Sequence, residues 1–220
     1  SHDELQKLDH VNRYGLHHYL SQYVTIQTGN EFGTPVRPFS FMIQGFLALF
    51  MEDFTFLVHL FSVISHAAVA CLFYAVIIQL GGSRSVALLA ALIFVLNPMT
   101  VLATGWSAAL MDRFYIFFGL VALLASNNYI LQNKSHLNLL WVFLASSLAM
   151  LSKETAIILP AALSVLLFID PKLLKNKRFW VTALTWSLPV LLFILYRLPA
   201  LITSFGNPSV SSYKASFVNI

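Results

Sequence analysis

The chain has 220 residues, of which 58% are hydrophobic and 10% charged, with a mean hydropathy of +0.76. A soluble domain carries about 25% charged residues, so this composition excludes a water-soluble globule and indicates an all-α polytopic membrane protein. A net charge of +4 and a pI of 9.3 would suit nucleic acid in a soluble protein. Here the basic residues fall in short connections, where membrane orientation accounts for them and no nucleic-acid partner is expected.

Cys71 is the single cysteine, which rules out an internal disulfide and a cysteine-based metal site. The chain opens on polar residues, and no signal peptide is visible in it. HDEL at residues 2–5 is an ER-retention address only at a C-terminus.

Residues 1–37 are polar and aromatic, too polar to span a membrane. PFSFMIQGFLALFM, 38–51, is apolar but shorter than the about 20 residues a span needs. It reads as an interfacial or re-entrant helix closed by Glu52 and Asp53. Residues 54–80 form the first clear span, followed by the turn GGSRS. Residues 86–106 are the second, with Asn97-Pro98 marking an end or a kink. Residues 114–131 are the third, and QNKSH turns the chain again.

The next apolar run, LNLLWVFLASSLAMLSKETAIILPAALSVLLFI, covers 33 residues and carries no charge except Lys153 and Glu154. One helix of that length would be about 50 Å long, against a hydrocarbon core of about 30 Å. Two short spans with Ser152, Lys153 and Glu154 at their tip avoid placing charges at the bilayer centre. A last span covers 179–202, with Pro189 as an expected kink. The whole is a bundle of about six membrane segments (54–202), preceded by an external loop with its interfacial helix (1–53) and followed by the start of an external loop or domain (203–220).

Orientation follows from the short loops. GGSRS, QNKSH and DPKLLKNKR hold Arg84, Lys134, Lys172, Lys175, Lys177 and Arg178 against one acid, Asp170. That side is expected to be cytoplasmic, and residues 1–53, 97–113, 152–155 and 203–220 external. Asn133-Lys134-Ser135 matches a glycosylation sequon but falls in an expected cytoplasmic loop; Asn207-Pro208-Ser209 is excluded by its proline.

Orientation also gathers the charges. Asp3, Glu4, Arg37, Asp112, Arg113, Lys153, Glu154 and Arg197 all fall on the external side, most at the ends of membrane segments. Ionisable groups at that depth tend to be paired and to mark a substrate site. Carboxylates mixed with cations suit a substrate bearing a phosphate and a hydroxyl that must lose its proton. His59 and His66 lie two turns apart on one helix face. This is not the i, i+4 spacing of a metal pair, and interhelical hydrogen bonding is their expected role.

In this order the motifs resemble the C-type (GT-C) polytopic glycosyltransferases, nearest to the transmembrane-and-tetratricopeptide O-mannosyltransferases and their bacterial relatives. Asp3-Glu4 resembles the acidic pair of the first external loop. TPVRPFS, 34–40, resembles the arginine-proline motif that opens an interfacial helix. His59 and His66 resemble the two histidines of the next membrane helix. NPMTVLATGWSAALMDR, 97–113, resembles the His-Pro to Trp-Ser-Arg-Asp stretch, and LSKETAIILP the Ser-Lys-Glu turn between two short spans. Asn97 stands where the family often has histidine, Leu110 where it often has arginine, and Ser62 where asparagine is common. The helix that normally precedes the acidic pair and the tetratricopeptide repeats are not in this sequence.

The resemblance implies a polyprenyl-phosphate-linked sugar donor and an acceptor hydroxyl on a protein or glycan. Asp3, with Glu4, would be the catalytic base. Arg37, Arg113, Lys153 and Arg197 would hold the phosphate, and Asp112, Glu154, His59 and His66 would support them. No nucleotide is implied; use of a divalent cation varies in the family, and no metal ligands are assigned. The implied location is a bacterial cytoplasmic membrane, or else the endoplasmic reticulum, with the active face external or luminal and other membrane subunits as further partners. The competing readings are a non-catalytic subunit that keeps the fold, and a transporter. Against transport, no inverted repeat is visible and the polar residues crowd one surface.

Overall fold

A computed structural model of the chain describes residues 2–23, 37–50, 54–105, 109–132 and 135–206. It is helical, with no strand among the described residues. In chain order the helices are α1 (His2–Tyr23), α2 (Pro38–Ala48), α3 (Phe54–Gln79), α4 (Arg84–Leu96), α5 (Pro98–Gly105), α6 (Leu110–Ile130), α7 (Leu137–Ser152), α8 (Ser164–Ile169) and α9 (Lys177–Gly206). A 3-10 segment, Glu154–Leu163, joins α7 to α8, and a second, Pro171–Lys175, joins α8 to α9.

Among the described residues three helical stretches are long and apolar enough to cross a membrane: Phe56–Gln79, Leu110–Ile130 and Lys177–Leu198. Shorter apolar stretches are Pro38–Ala48, Arg84–Leu96, Leu137–Ser152 and Glu154–Ile169. Their outward faces carry large exposed apolar side chains such as Leu88, Leu89 and Ile93, as a hydrocarbon surround permits.

The breaks have local causes. The α3–α4 turn needs Gly81, whose φ of 90° is open to glycine at little cost. Ser83 then caps α4 by accepting from the Val86 amide at 3.3 Å. Asn97 adopts an extended ψ of 124°, as a residue before proline prefers. Its side-chain oxygen accepts from the Met99 amide at 2.9 Å, so Asn97-Pro98 divides the expected second span into α4 and α5. At Lys153 the backbone is extended (φ −159°, ψ 138°). The chain reverses there, and the expected hairpin of two short arms forms. Val142 on the first arm packs in one core with Leu163 and Leu166 on the second.

Within the polar segment 1–37, too polar to span, residues 2–23 form α1. Gly15 breaks α1 with a φ of 79°, and Val11 and Tyr19 are buried against Ala48 and Val58. Asp112 and Arg113 were expected in the loop before the third span, but α6 begins at Leu110 and takes both into its first turn. No glycine or proline interrupts residues 109–118, and an acid near a helix N-terminus is favoured by the helix dipole. Pro189, where a kink is expected, lies inside the helical run of α9.

The main core lies between α6, α7, α8 and α9. Trp186 is fully buried there and donates its indole N–H to Ser126 Oγ at 2.8 Å. Near it, Gln79 on α3 donates to Asn128 at 3.0 Å and accepts from Asn127 at 3.0 Å. Arg178 donates to the Tyr129 carbonyl at 3.0 Å and lies over its ring. This end of the bundle is opposite the one that holds Arg37, Asp112 and Lys153.

Candidate functional site

Four side chains from three separate parts of the chain meet at one end of the bundle. Arg37 is the residue before Pro38, which starts α2 with its φ already set for a helix. Its Nε donates to Glu154 Oε2 at 2.9 Å, and one of its terminal nitrogens lies 3.1 Å from Met111 Sδ. Lys153 forms an ion pair with Asp112 of α6. Lys153 and Glu154 are adjacent at the hairpin tip, so the two ion pairs stand side by side. Ser40 ties α2 to the same turn, donating to the Ser152 carbonyl at 3.0 Å.

The four are neither buried nor free in solvent. Relative side-chain exposure is 27% for Arg37, 29% for Glu154, 21% for Lys153 and 37% for Asp112. Pairs this open keep their charges accessible, and an incoming anion competes for the cations at modest cost. Two cations against two carboxylates make the resting cluster neutral in sum.

The other expected site residues fall elsewhere. Arg113, one residue from Asp112, is 5% exposed and turns to α3. There its Nε donates to Ser65 Oγ at 3.1 Å and its Nη2 to Ser62 Oγ at 2.7 Å. Arg197 lies on α9, and among the described residues no ion pair joins it to the cluster. His59 is exposed on α3. His66 stacks on Phe94 of α4 with ring centroids 5.1 Å apart, and its buried Nε2 has no hydrogen-bond partner among the described residues. The expected interhelical hydrogen bond is thus replaced by a ring contact, because Phe94 is the side chain that α4 presents there. Asp3 and Glu4 lie on α1, but their side chains are outside the described residues, as is Trp106.

Sequence reasoning missed the anchors: Ser40, Ser62, Ser65 and Met111. Two hydroxyls three residues apart on the apolar helix α3 were a readable signal for a polar partner in the membrane. Among the described residues no three His, Cys, Asp or Glu side chains converge as a metal site.

Beside the hairpin tip, α7 and α9 enclose a cavity of about 220 Å³ lined almost wholly by apolar groups, among them Met150, Leu151, Leu192, Phe193 and Tyr196. Leu151 is two residues from Lys153, so the cavity lies at the same end of α7 as the charged cluster.

Residues 35–196 match the family model of the dolichyl-phosphate-mannose-protein mannosyltransferases. That stretch is well over half of the chain, and the chain belongs to this family, which is of the GT-C type. It is therefore an integral membrane protein of a glycosyltransferase family of the mannosyltransferase kind. The match takes in Arg37, Asp112, Arg113, Lys153 and Glu154, and leaves out Asp3, Glu4 and Arg197. No match was found among curated proteins or among solved structures.

Proposed function

We propose that this chain moves a sugar from a polyprenyl-phosphate-linked donor to an acceptor hydroxyl of a protein or glycan, on the external or luminal face of its membrane. The observation that carries this reading is the meeting of Arg37, Asp112, Lys153 and Glu154 at one end of an apolar bundle, the end of α7 that also lines an apolar cavity. A lipid phosphate has the matching form: a charged head with a hydrocarbon tail.

In this reading the tail lies along the α7–α9 groove and the phosphate meets Lys153 and Arg37. The acceptor hydroxyl loses its proton to a carboxylate, with Asp3 proposed as the base. The hydroxyl oxygen bonds to the anomeric carbon with inversion. The bond from that carbon to the phosphate oxygen breaks, and its electron pair leaves with the phosphate. The phosphodiester carries one negative charge before transfer, and the leaving monoester gains a second. Cations fixed beforehand stabilise that developing charge most in the transition state. The carboxylates of Asp112 and Glu154 hold the two cations in place until the donor arrives.

The test is polyprenyl-phosphate binding to the full-length protein by native mass spectrometry, comparing wild type with Lys153→Ala and Arg37→Ala. Specific binding that either variant loses supports the reading. Binding absent from wild type, or untouched by both changes, overturns it.

A further inference from the structure

The geometry points to Arg113 as a positioning residue: we propose that its bonds to Ser62 and Ser65 fix the first turn of α6, and so hold the Asp112 carboxylate against Lys153. This deepens the proposed function and rests on it for the kinetic part of its test.

Successive residues on an α-helix point about 100° apart. Asp112 and Arg113 therefore leave the same turn in different directions, one toward the hairpin tip and the other toward α3. A guanidinium is a rigid fork, and it reaches two hydroxyls placed three residues apart on one side of α3. Ser65 Oγ also donates to the Ser62 carbonyl at 2.9 Å. That bond commits its proton and leaves its lone pairs to accept from the guanidinium.

Aromatic packing holds the same turn. Phe114, the next residue, meets Phe39 of α2 edge-on at 5.3 Å and Phe61 of α3 at 5.8 Å. The first turn of α6 is thus tied to α2 and α3 on one side and to the Lys153 turn on the other. A charge inside a membrane segment is costly. Here it secures the part of α6 from which the site carboxylate projects, through its bonds to α3.

The experiment compares native serines with the Ser62→Ala/Ser65→Ala double variant, in full-length protein. A double-mutant cycle between Asp112→Asn and Lys153→Gln, read on the melting midpoint, is run in both backgrounds. We expect clear coupling with the serines and little without them. We also expect polyprenyl-phosphate affinity to rise by up to about fivefold, as Asp112 ceases to compete for Lys153, and kcat to fall about tenfold. Ser65→Thr, which keeps the hydroxyl, should behave as native. Coupling that survives the loss of both serines overturns the proposal. So does a loss of lipid-phosphate binding as large as that of Lys153→Ala, which would make Arg113 a direct phosphate ligand. A wild type that binds no lipid phosphate would instead sink the proposed function, and the coupling measurement would still decide the positioning role. Should the double variant fail to fold, Ser65→Ala alone asks the same question at a less buried site.

Discussion

Arg37 donates to Glu154 at 2.9 Å across 117 residues of chain, and with the bond from Ser40 to the Ser152 carbonyl this contact joins the start of α2 to the tip of the hairpin. Both side chains are about 70% covered, between a surface pair and a buried one. Such a pair contributes about 0.5–1 kcal/mol. A double-mutant cycle of Arg37→Ala and Glu154→Ala should therefore show a coupling of that size in detergent melts, and the coupling should shrink as salt is raised. Strictly additive single variants would mean that the contact adds no stability of its own.

Gly45 should not tolerate a side chain. A Cβ at this position would sit 2.7 Å from the Tyr19 ring and 3.2 Å from Leu16. Tyr19 is fully buried, so its ring has no room to move aside. Gly45→Ala is expected to destabilise the seating of α1 on α2 by about 1–3 kcal/mol. Faster proteolytic cutting near Gly15, with the rest of the bundle intact, would be the signature. An unchanged cutting rate would show that α1 is not held by this contact.

Trp186 offers a test of the opposite end of the bundle. Trp186→Phe removes the donor to Ser126 but keeps most of the ring, and should cost about 1 kcal/mol. Trp186→Ala also opens a cavity and should cost about 3–5 kcal/mol. Because this end lies away from the hairpin tip, lipid-phosphate affinity should be unchanged in the phenylalanine variant. A parallel loss of binding would show that the two ends are coupled.

The ends and breaks of the apolar helices were largely legible from the sequence; their rotation was not. The hairpin at Lys153 followed from comparing a run of apolar residues with the thickness of a bilayer, and Arg37-Pro38 announced the start of α2. Asn97-Pro98 likewise marked a real break. What a side chain faces once at its depth depends on how its helix is turned, and packing sets that turn. Hydropathy therefore placed Asp112 and Arg113 near one surface without showing that one faces Lys153 and the other faces α3. The same limit hid the partners of Ser62 and Ser65, and it turned an expected hydrogen bond at His66 into a stack on Phe94. Helix α1 escaped because its apolar residues are few and widely spaced, and its burial comes from α2 rather than from lipid.

The last prediction concerns the sign of the Asp112 effect. Its carboxylate neutralises Lys153 in the resting cluster, so a phosphate must compete with it. Asp112→Asn removes that competitor and keeps the shape of the side chain. Lipid-phosphate affinity should rise by about fivefold, which corresponds to about 1 kcal/mol for a partly exposed pair. Sugar transfer should not rise with it, because a lysine without its carboxylate is free to sample orientations that do not meet the leaving phosphate. Tighter binding with a lower kcat is thus the expected outcome, read by titrating polyprenyl phosphate and by turnover of the sugar-linked donor. Weaker binding in Asp112→Asn would reverse the assignment: the carboxylate would then matter more for aiming Lys153 at the phosphate than for opposing it.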